Sequence, residues 1–162
     1  EIGRAISRDY AGKTPILIGV LNGSFMFIAD LMRAIDIDCE VDFWKLSSYG
    51  AAKVSSGQVR ELKKVDADLE GRHVIIVEDI VDTGLSMRYI LDHMQHLNPA
   101  SVTVATLLHK YEATDNNVTL DYVGFRIPNL FVIGYGLDYG QIARNLPEIF
   151  ILDEQEDDTG SD

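Results

Sequence analysis

A chain of 162 residues with 46% hydrophobic side chains can bury one substantial core, and its length argues for one domain rather than several. A formal net charge of −12 weighs against broad nucleic-acid binding, which needs cationic neutralisation of phosphates. The single cysteine, Cys39, excludes an internal disulfide and suits a reducing, cytoplasmic setting, and no apolar run approaches the ~20 residues that cross a bilayer.

Residues 1–11 read as an amphipathic helix stopped by Gly12, and Glu1-Ile2-Gly3-Arg4 looks like helix interior rather than a leader peptide. Residues 15–21, PILIGVL, form a short buried strand. Asn22-Gly23-Ser24 is a tight turn in which Ser24 is expected to cap the next helix. That helix spans residues 25–35, with apolar side chains at helical spacing and Asp30 and Arg33 outward. Residues 39–46 alternate and read as a strand that sets Val41, Phe43 and Leu46 against Asp42 and Lys45, with Trp44 in the core or at a subunit contact. Residues 47–57 make a connection long enough to be a functional lid, and residues 58–65 return from it as the second arm of a hairpin. Residues 66–72 turn the chain toward its centre.

Residues 74–86, VIIVEDIVDTGLS, carry the most information. Val74-Ile75-Ile76-Val77 is apolar without alternation, which suits a strand of a parallel sheet covered on both faces. Thr83-Gly84-Leu85-Ser86 opens a helix, where backbone N–H groups and the positive helix end suit a phosphate. Glu78, Asp79 and Asp82 would repel that phosphate, so they serve a sugar diol, a metal or a proton. Ile90, Leu91, Met94 and Leu97 mark the helix, which Asn98-Pro99 ends. Strands follow at 102–108, 122–125, 131–135 and 149–152, with a loop at 136–140. The acidic tail, 153–162, reads as a solvated, disordered segment.

The order predicts a doubly wound α/β sheet, in which ligands sit at the carboxyl ends of strands. Those ends carry Leu21-Asn22-Gly23, Glu78-Asp79, His109-Lys110 and residues 132–138, so four separate places converge on one edge. Neither GxxxxGK[ST] nor GxGxxG is present, which argues against a P-loop or a dinucleotide site.

VIIVEDIVDTGLS resembles the phosphoribosyl-pyrophosphate signature of the type I phosphoribosyltransferases. VLNGSFMFIADL (20–31), LLHKY (107–111), VGFRIPNLFVIGYGLDY (123–139) and Arg144 resemble the hypoxanthine-guanine branch of that family, in its order and at its spacings. The resemblance implies a central, mainly parallel sheet flanked by helices, with a small hood and a flexible lid loop, over one domain at 1–152. It implies purine salvage: transfer of phosphoribose from phosphoribosyl pyrophosphate to N9 of hypoxanthine or guanine, giving IMP or GMP and pyrophosphate. A xanthine-preferring enzyme and a non-catalytic phosphoribosyl pyrophosphate sensor are the alternatives. It further implies a homodimer or homotetramer and a Mg2+ cofactor.

The residue roles follow from the same resemblance. Asp82, Thr83, Gly84, Leu85 and Ser86 would hold the 5′-phosphate, and Glu78 and Asp79 would face the ribose hydroxyls. Asp82 would accept the proton from purine N7; the alternatives are that it is only the N-cap of the helix or that it serves both roles. Leu21, Asn22 and Gly23 would form the pyrophosphate loop, where the family often has a non-proline cis peptide, aided by Arg144 and by Ser48 and Tyr49 of the lid. Asn22 stands where many members carry lysine. Ile80, Lys110, Phe131, Val132, Leu137 and Asp138 would bind the purine, with Lys110 donating to its 6-oxo group. Glu78, Asp79 and Asp138 would hold Mg2+.

Overall fold

In the computed structural model, residues 1–48, 59–114 and 117–152 are described. Six strands form one sheet: β1 Ile16–Leu21, β2 Glu40–Ser48, β3 Val59–Lys63, β4 His73–Val81, β5 Ser101–Lys110 and β6 Tyr122–Ile127. Their order is β3-β2-β1-β4-β5-β6, and every neighbouring pair is parallel except the β2–β3 hairpin.

Both faces of the central strand are covered, which explains its unbroken apolar run. Ile75 and Val77 pack with Ile6 of α1 (Ile2–Asp9) and with Phe27, Ile28 and Leu31 of α2 (Phe25–Arg33). Val74 and Ile76 face the other way, toward Met87, Ile90 and Met94 of α3 (Leu85–Gln95). All four strand residues are fully buried. Each such side chain contributes about 1.5–3 kcal/mol relative to exposure, so this strand anchors the cores on both faces of the sheet.

β4 runs to Val81, four residues past the apolar run, so Glu78, Asp79 and Ile80 belong to the strand rather than to the turn beyond it. β5 likewise extends to Lys110. The 131–135 stretch contributes only β7, Val132–Ile133, which pairs antiparallel with β8, Phe150–Ile151, in a separate two-stranded sheet. That small sheet is the hood. No helix among the described residues is long and apolar enough to cross a membrane.

Two local expectations need correction. Ser24 does not cap α2 through its side chain; its buried hydroxyl donates instead to the carbonyl of Val20 at 2.6 Å, folding the turn back onto β1. Nor does Asp42 lie on a solvent face. Trp44 is 1% exposed in the core on the α3 side, while Asp42 accepts from the backbone N–H groups of Phe43, Asp66 and Ala67 at 2.7, 2.6 and 2.9 Å. The Lys63 ammonium lies 3.2 Å away, so one carboxylate pins the hairpin to the turn that leads into β4. The lid expected around Tyr49 and the acidic tail lie outside the described residues.

Candidate active site

The carboxyl ends of β1, β4 and β5 meet the hood loop at one edge of the sheet. The peptide joining Leu21 to Asn22 is cis, as the resemblance implies. Gly23 follows it and lies directly against Asp79. A Cβ placed on Gly23 would stand 1.8 Å from Asp79 Oδ2, and a Cβ on Gly136 of the hood would stand 2.2 Å from the Gly23 carbonyl. The 21–23 loop, the acidic end of β4 and the hood therefore touch through glycine backbone. No larger residue fits at either position.

Glu78 lines a cleft of ≈ 90 Å3 with Ile80, Asp82, Thr83, Gly84 and Ser86. Burial, and then the adjacent Asp79 carboxylate, hold the Glu78 carboxyl well above the usual carboxylate range. At the cleft's floor Gly84 adopts φ +85°, a left-handed conformation that turns the chain from strand into α3 without a side chain in the way. The Thr83 hydroxyl oxygen accepts from the Leu85 amide at 3.4 Å, while the Leu85 side chain points to solvent and offers backbone only. Amides and hydroxyls are thus presented at a helix N-terminus, an arrangement that suits a phosphate dianion.

Asp82 is exposed, and its Oδ2 lies 2.9 Å from Lys110 Nζ. Lys110 is 8% exposed. A lysine ending a strand is commonly a surface charge with its stem laid along the protein. Here the side chain is buried and its ammonium is aimed at Asp82, a carboxylate that lines the cleft. Thr114 holds the backbone of this pair, its hydroxyl lying within hydrogen-bonding reach of the carbonyls of Asp82 and Lys110. Thr114 was not singled out in the sequence, since nothing in the local pattern signals a contact made across two strands.

In the hood, Gly134, Tyr135 and Gly136 all have positive φ, curling the loop back toward Gly23. Asp138 pairs with Arg144 Nη2 at 3.1 Å and accepts from the Gln141 amide at 2.8 Å, while Arg144 Nη1 donates to the Gly136 carbonyl at 2.8 Å. Arg144 therefore braces the hood loop. The Tyr135 hydroxyl donates to Asp30 of α2, and burial followed by that contact pushes the phenol up to about 12. Val132 and Leu137 are buried beneath the loop. Phe131 is not a core residue: 48% exposed, it makes a T-shaped contact with Tyr139, ring centroids 6.0 Å apart. Ser48 ends β2, and Tyr49 lies outside the described residues.

Among the described residues no cluster of three or more His, Cys, Asp or Glu forms a ready-made metal cage. The donor set still fits a hard divalent cation that draws most ligands from substrate oxygens and water. Glu78 and Asp79 are adjacent carboxyls with the former shielded, and Asp79 and the hood loop leading to Asp138 both lie at the Gly23–Gly136 contact.

The family model for the phosphoribosyl transferase domain matches residues 1–140. The chain belongs to the phosphoribosyltransferase family. Among its relatives, the hypoxanthine-guanine phosphoribosyltransferase of Streptococcus mutans is 46% identical over 95% of this chain and 86% of its own length. A bifunctional TilS/HprT protein of Listeria monocytogenes is 44% identical over 94% of this chain and 24% of its length. Solved phosphoribosyltransferases superimpose closely. A Bacillus anthracis hypoxanthine-guanine phosphoribosyltransferase gives a TM-score of 0.88 at 42% identity, covering 93% of this chain and 89% of that one. A Trypanosoma cruzi hypoxanthine phosphoribosyltransferase in complex with the product IMP gives 0.87 at 43% identity, covering 94% and 86%. The phosphoribosyltransferase fold, with its mainly parallel sheet, accounts for the whole six-stranded arrangement.

Proposed function

We propose that this phosphoribosyltransferase salvages purines, joining the phosphoribosyl group of phosphoribosyl pyrophosphate to N9 of hypoxanthine or guanine and releasing pyrophosphate. The observation that carries the reading is the buried Lys110 ammonium set 2.9 Å from Asp82 beside the phosphate cleft. A 6-oxopurine presents an acceptor, O6, next to N7 along one edge. A lysine donor beside a carboxylate acceptor complements that edge when N7 carries a proton, whereas adenine would offer its 6-amino donor to the ammonium.

The division of labour follows. Residues 82–86 hold the 5′-phosphate, and Glu78 and Asp79 take the ribose hydroxyls. Leu21, Asn22 and Gly23 cradle the pyrophosphate with backbone, together with Arg144, Ser48 and Tyr49. Asn22 is exposed and supplies no cation, so backbone amides carry the larger share there. Phe131 stacks on the purine, with Ile80, Val132, Leu137 and Asp138 around it. As N9 bonds to C1′ and the C1′–O bond to pyrophosphate breaks, the N7 proton passes to Asp82, relieving positive charge on the base. Mg2+, held by Glu78, Asp79 and Asp138 with substrate oxygens, would neutralise charge on the departing pyrophosphate.

The same reading takes residues 1–152 as one catalytic domain in the cytoplasm. Self-association into a homodimer or homotetramer is supported by exposed Phe25 and Phe125, and by a groove of ≈ 390 Å3 between α1, α2 and β6. The experiment is pyrophosphate release measured with Mg2+, phosphoribosyl pyrophosphate and a panel of hypoxanthine, guanine, xanthine and adenine. Release with hypoxanthine and guanine is expected. Release with xanthine alone would mean a different base preference, and none with any purine would sink the reading.

A further inference from the structure

We infer that Thr114 is a positioning residue that sets the spacing between Asp82 and Lys110. The inference rests on the functional reading above and extends it to a residue outside the reacting groups.

Strands β4 and β5 pair from His73↔Ser101 to Val81↔His109, and there the ladder ends. Asp82 and Lys110 each sit one residue beyond it. The register pairs neither backbone directly with the other, yet their side chains must act as one donor–acceptor pair. Thr114 supplies the missing tie. The chain after β5 folds into a single turn, with the Ala113 and Thr114 amides both donating to the Lys110 carbonyl at 3.1 Å. That turn returns the Thr114 hydroxyl to the strand ends. Its Oγ1 reaches the carbonyls of Lys110 at 3.0 Å and Val81 at 3.5 Å, and that of Asp82. One hydroxyl proton serves one of these oxygens at a time, and all three belong to the stretches that carry the pair.

A threonine bonded only to the carbonyl four residues before it would be an ordinary local turn. The contact across to Asp82 distinguishes this one, since it crosses 32 residues of sequence and the gap where the ladder stops. The methyl group acts on the same turn. A Cβ on Gly84 would stand 3.4 Å from Thr114 Cγ2, so the methyl packs over the glycine that floors the phosphate cleft. Thr114 thereby fastens the 81–84 turn to the end of β5. The purine's O6 and N7 are held a fixed distance apart by covalent bonds, so the two groups that read them need a fixed spacing as well.

The test compares Thr114→Val with Thr114→Ser in steady-state assays with hypoxanthine and phosphoribosyl pyrophosphate, alongside thermal unfolding. Valine keeps the shape and methyl and loses the hydroxyl; serine does the reverse. Thr114→Val should lower kcat roughly ten- to a hundredfold, the scale of a misplaced catalytic group, and raise the KM for hypoxanthine, with a melting temperature near wild type. Thr114→Ser should keep kcat near wild type while melting at lower temperature. Wild-type kinetics in Thr114→Val, or equal kinetic losses in both variants, would overturn the inference. A wild-type enzyme inactive on every purine would take down the functional reading and this inference with it.

Discussion

Gly23 is the narrowest point of the site, and replacing it with alanine tests the packing directly. The added Cβ would lie 1.8 Å from Asp79 Oδ2 and 2.5 Å from its Cγ, where real Cβ atoms do not come within 3.0 Å. The carboxylate must retreat by more than an ångström, or the 22–24 loop must. The loop has little room, because the Gly23 carbonyl already abuts Gly136 of the hood. Overpacking of this kind costs about 1–3 kcal/mol. Displacing Asp79 by an ångström should cost turnover about a hundredfold, as misplaced groups commonly do. Denaturant unfolding of the metal-free protein measures the first quantity and pyrophosphate release the second. A double-mutant cycle separates them: adding Asp79→Ala removes the clash, so it should recover most of the stability and none of the activity. Gly23→Ala with wild-type midpoint and turnover, or a cycle without coupling, would refute the argument that these backbones meet at Asp79.

Three further outcomes follow from the site. Asp82→Asn should lower kcat by about 10²–10⁴ while leaving the affinity for phosphoribosyl pyrophosphate nearly unchanged; equal losses in both would reduce Asp82 to a binding group. Lys110→Met keeps an apolar stem and removes the donor, so the KM for hypoxanthine should rise by roughly tenfold or more, in line with about 1.5–3 kcal/mol for a hydrogen bond from a charged group. An unchanged KM would show that Lys110 does not touch the base. Asp42 governs acid stability. Burial would raise its carboxyl, but the N–H groups of Ala67, Phe43 and Asp66 and the Lys63 ammonium outweigh that and hold it below the ordinary 3.8. Its contribution is therefore present above pH 3.8 and is lost as pH falls through the lowered value. Asp42→Asn should flatten that acid limb and lower stability at neutral pH by about 1–3 kcal/mol, read from urea midpoints against pH; an unchanged limb would count against the hub.

The element order, the doubly covered central strand and the turn of hydroxyls and glycine that opens α3 were all legible in the chain itself. Hydrophobic periodicity reports how many faces of an element are covered, and Val74-Ile75-Ile76-Val77 states that directly. The turn at 83–86 was legible because its chemistry is contiguous: hydroxyl, glycine, amide and helix end follow one another in the chain. Strand lengths were less so, since Glu78, Asp79 and Lys110 are polar residues held in strands by their neighbours' ladders.

What the tertiary structure alone decided are the meetings between residues far apart in the chain. Lys110 is buried rather than solvated because β5 runs beside β4 in a register that sets it against Asp82. Ser24, Asp42 and Thr114 each have a strong local role open to them, as cap, solvated face or turn. Asp42 and Thr114 add partners far along the chain to their local ones, while Ser24 leaves the helix amides for the carbonyl of Val20 on β1, so tertiary packing and not local propensity chose each contact. By itself the sequence named the groups expected of a phosphoribosyltransferase site. The packing of β1, β4, β5 and the hood decided how close those groups stand, since register and glycine contacts are properties of paired backbones rather than of any one stretch of chain.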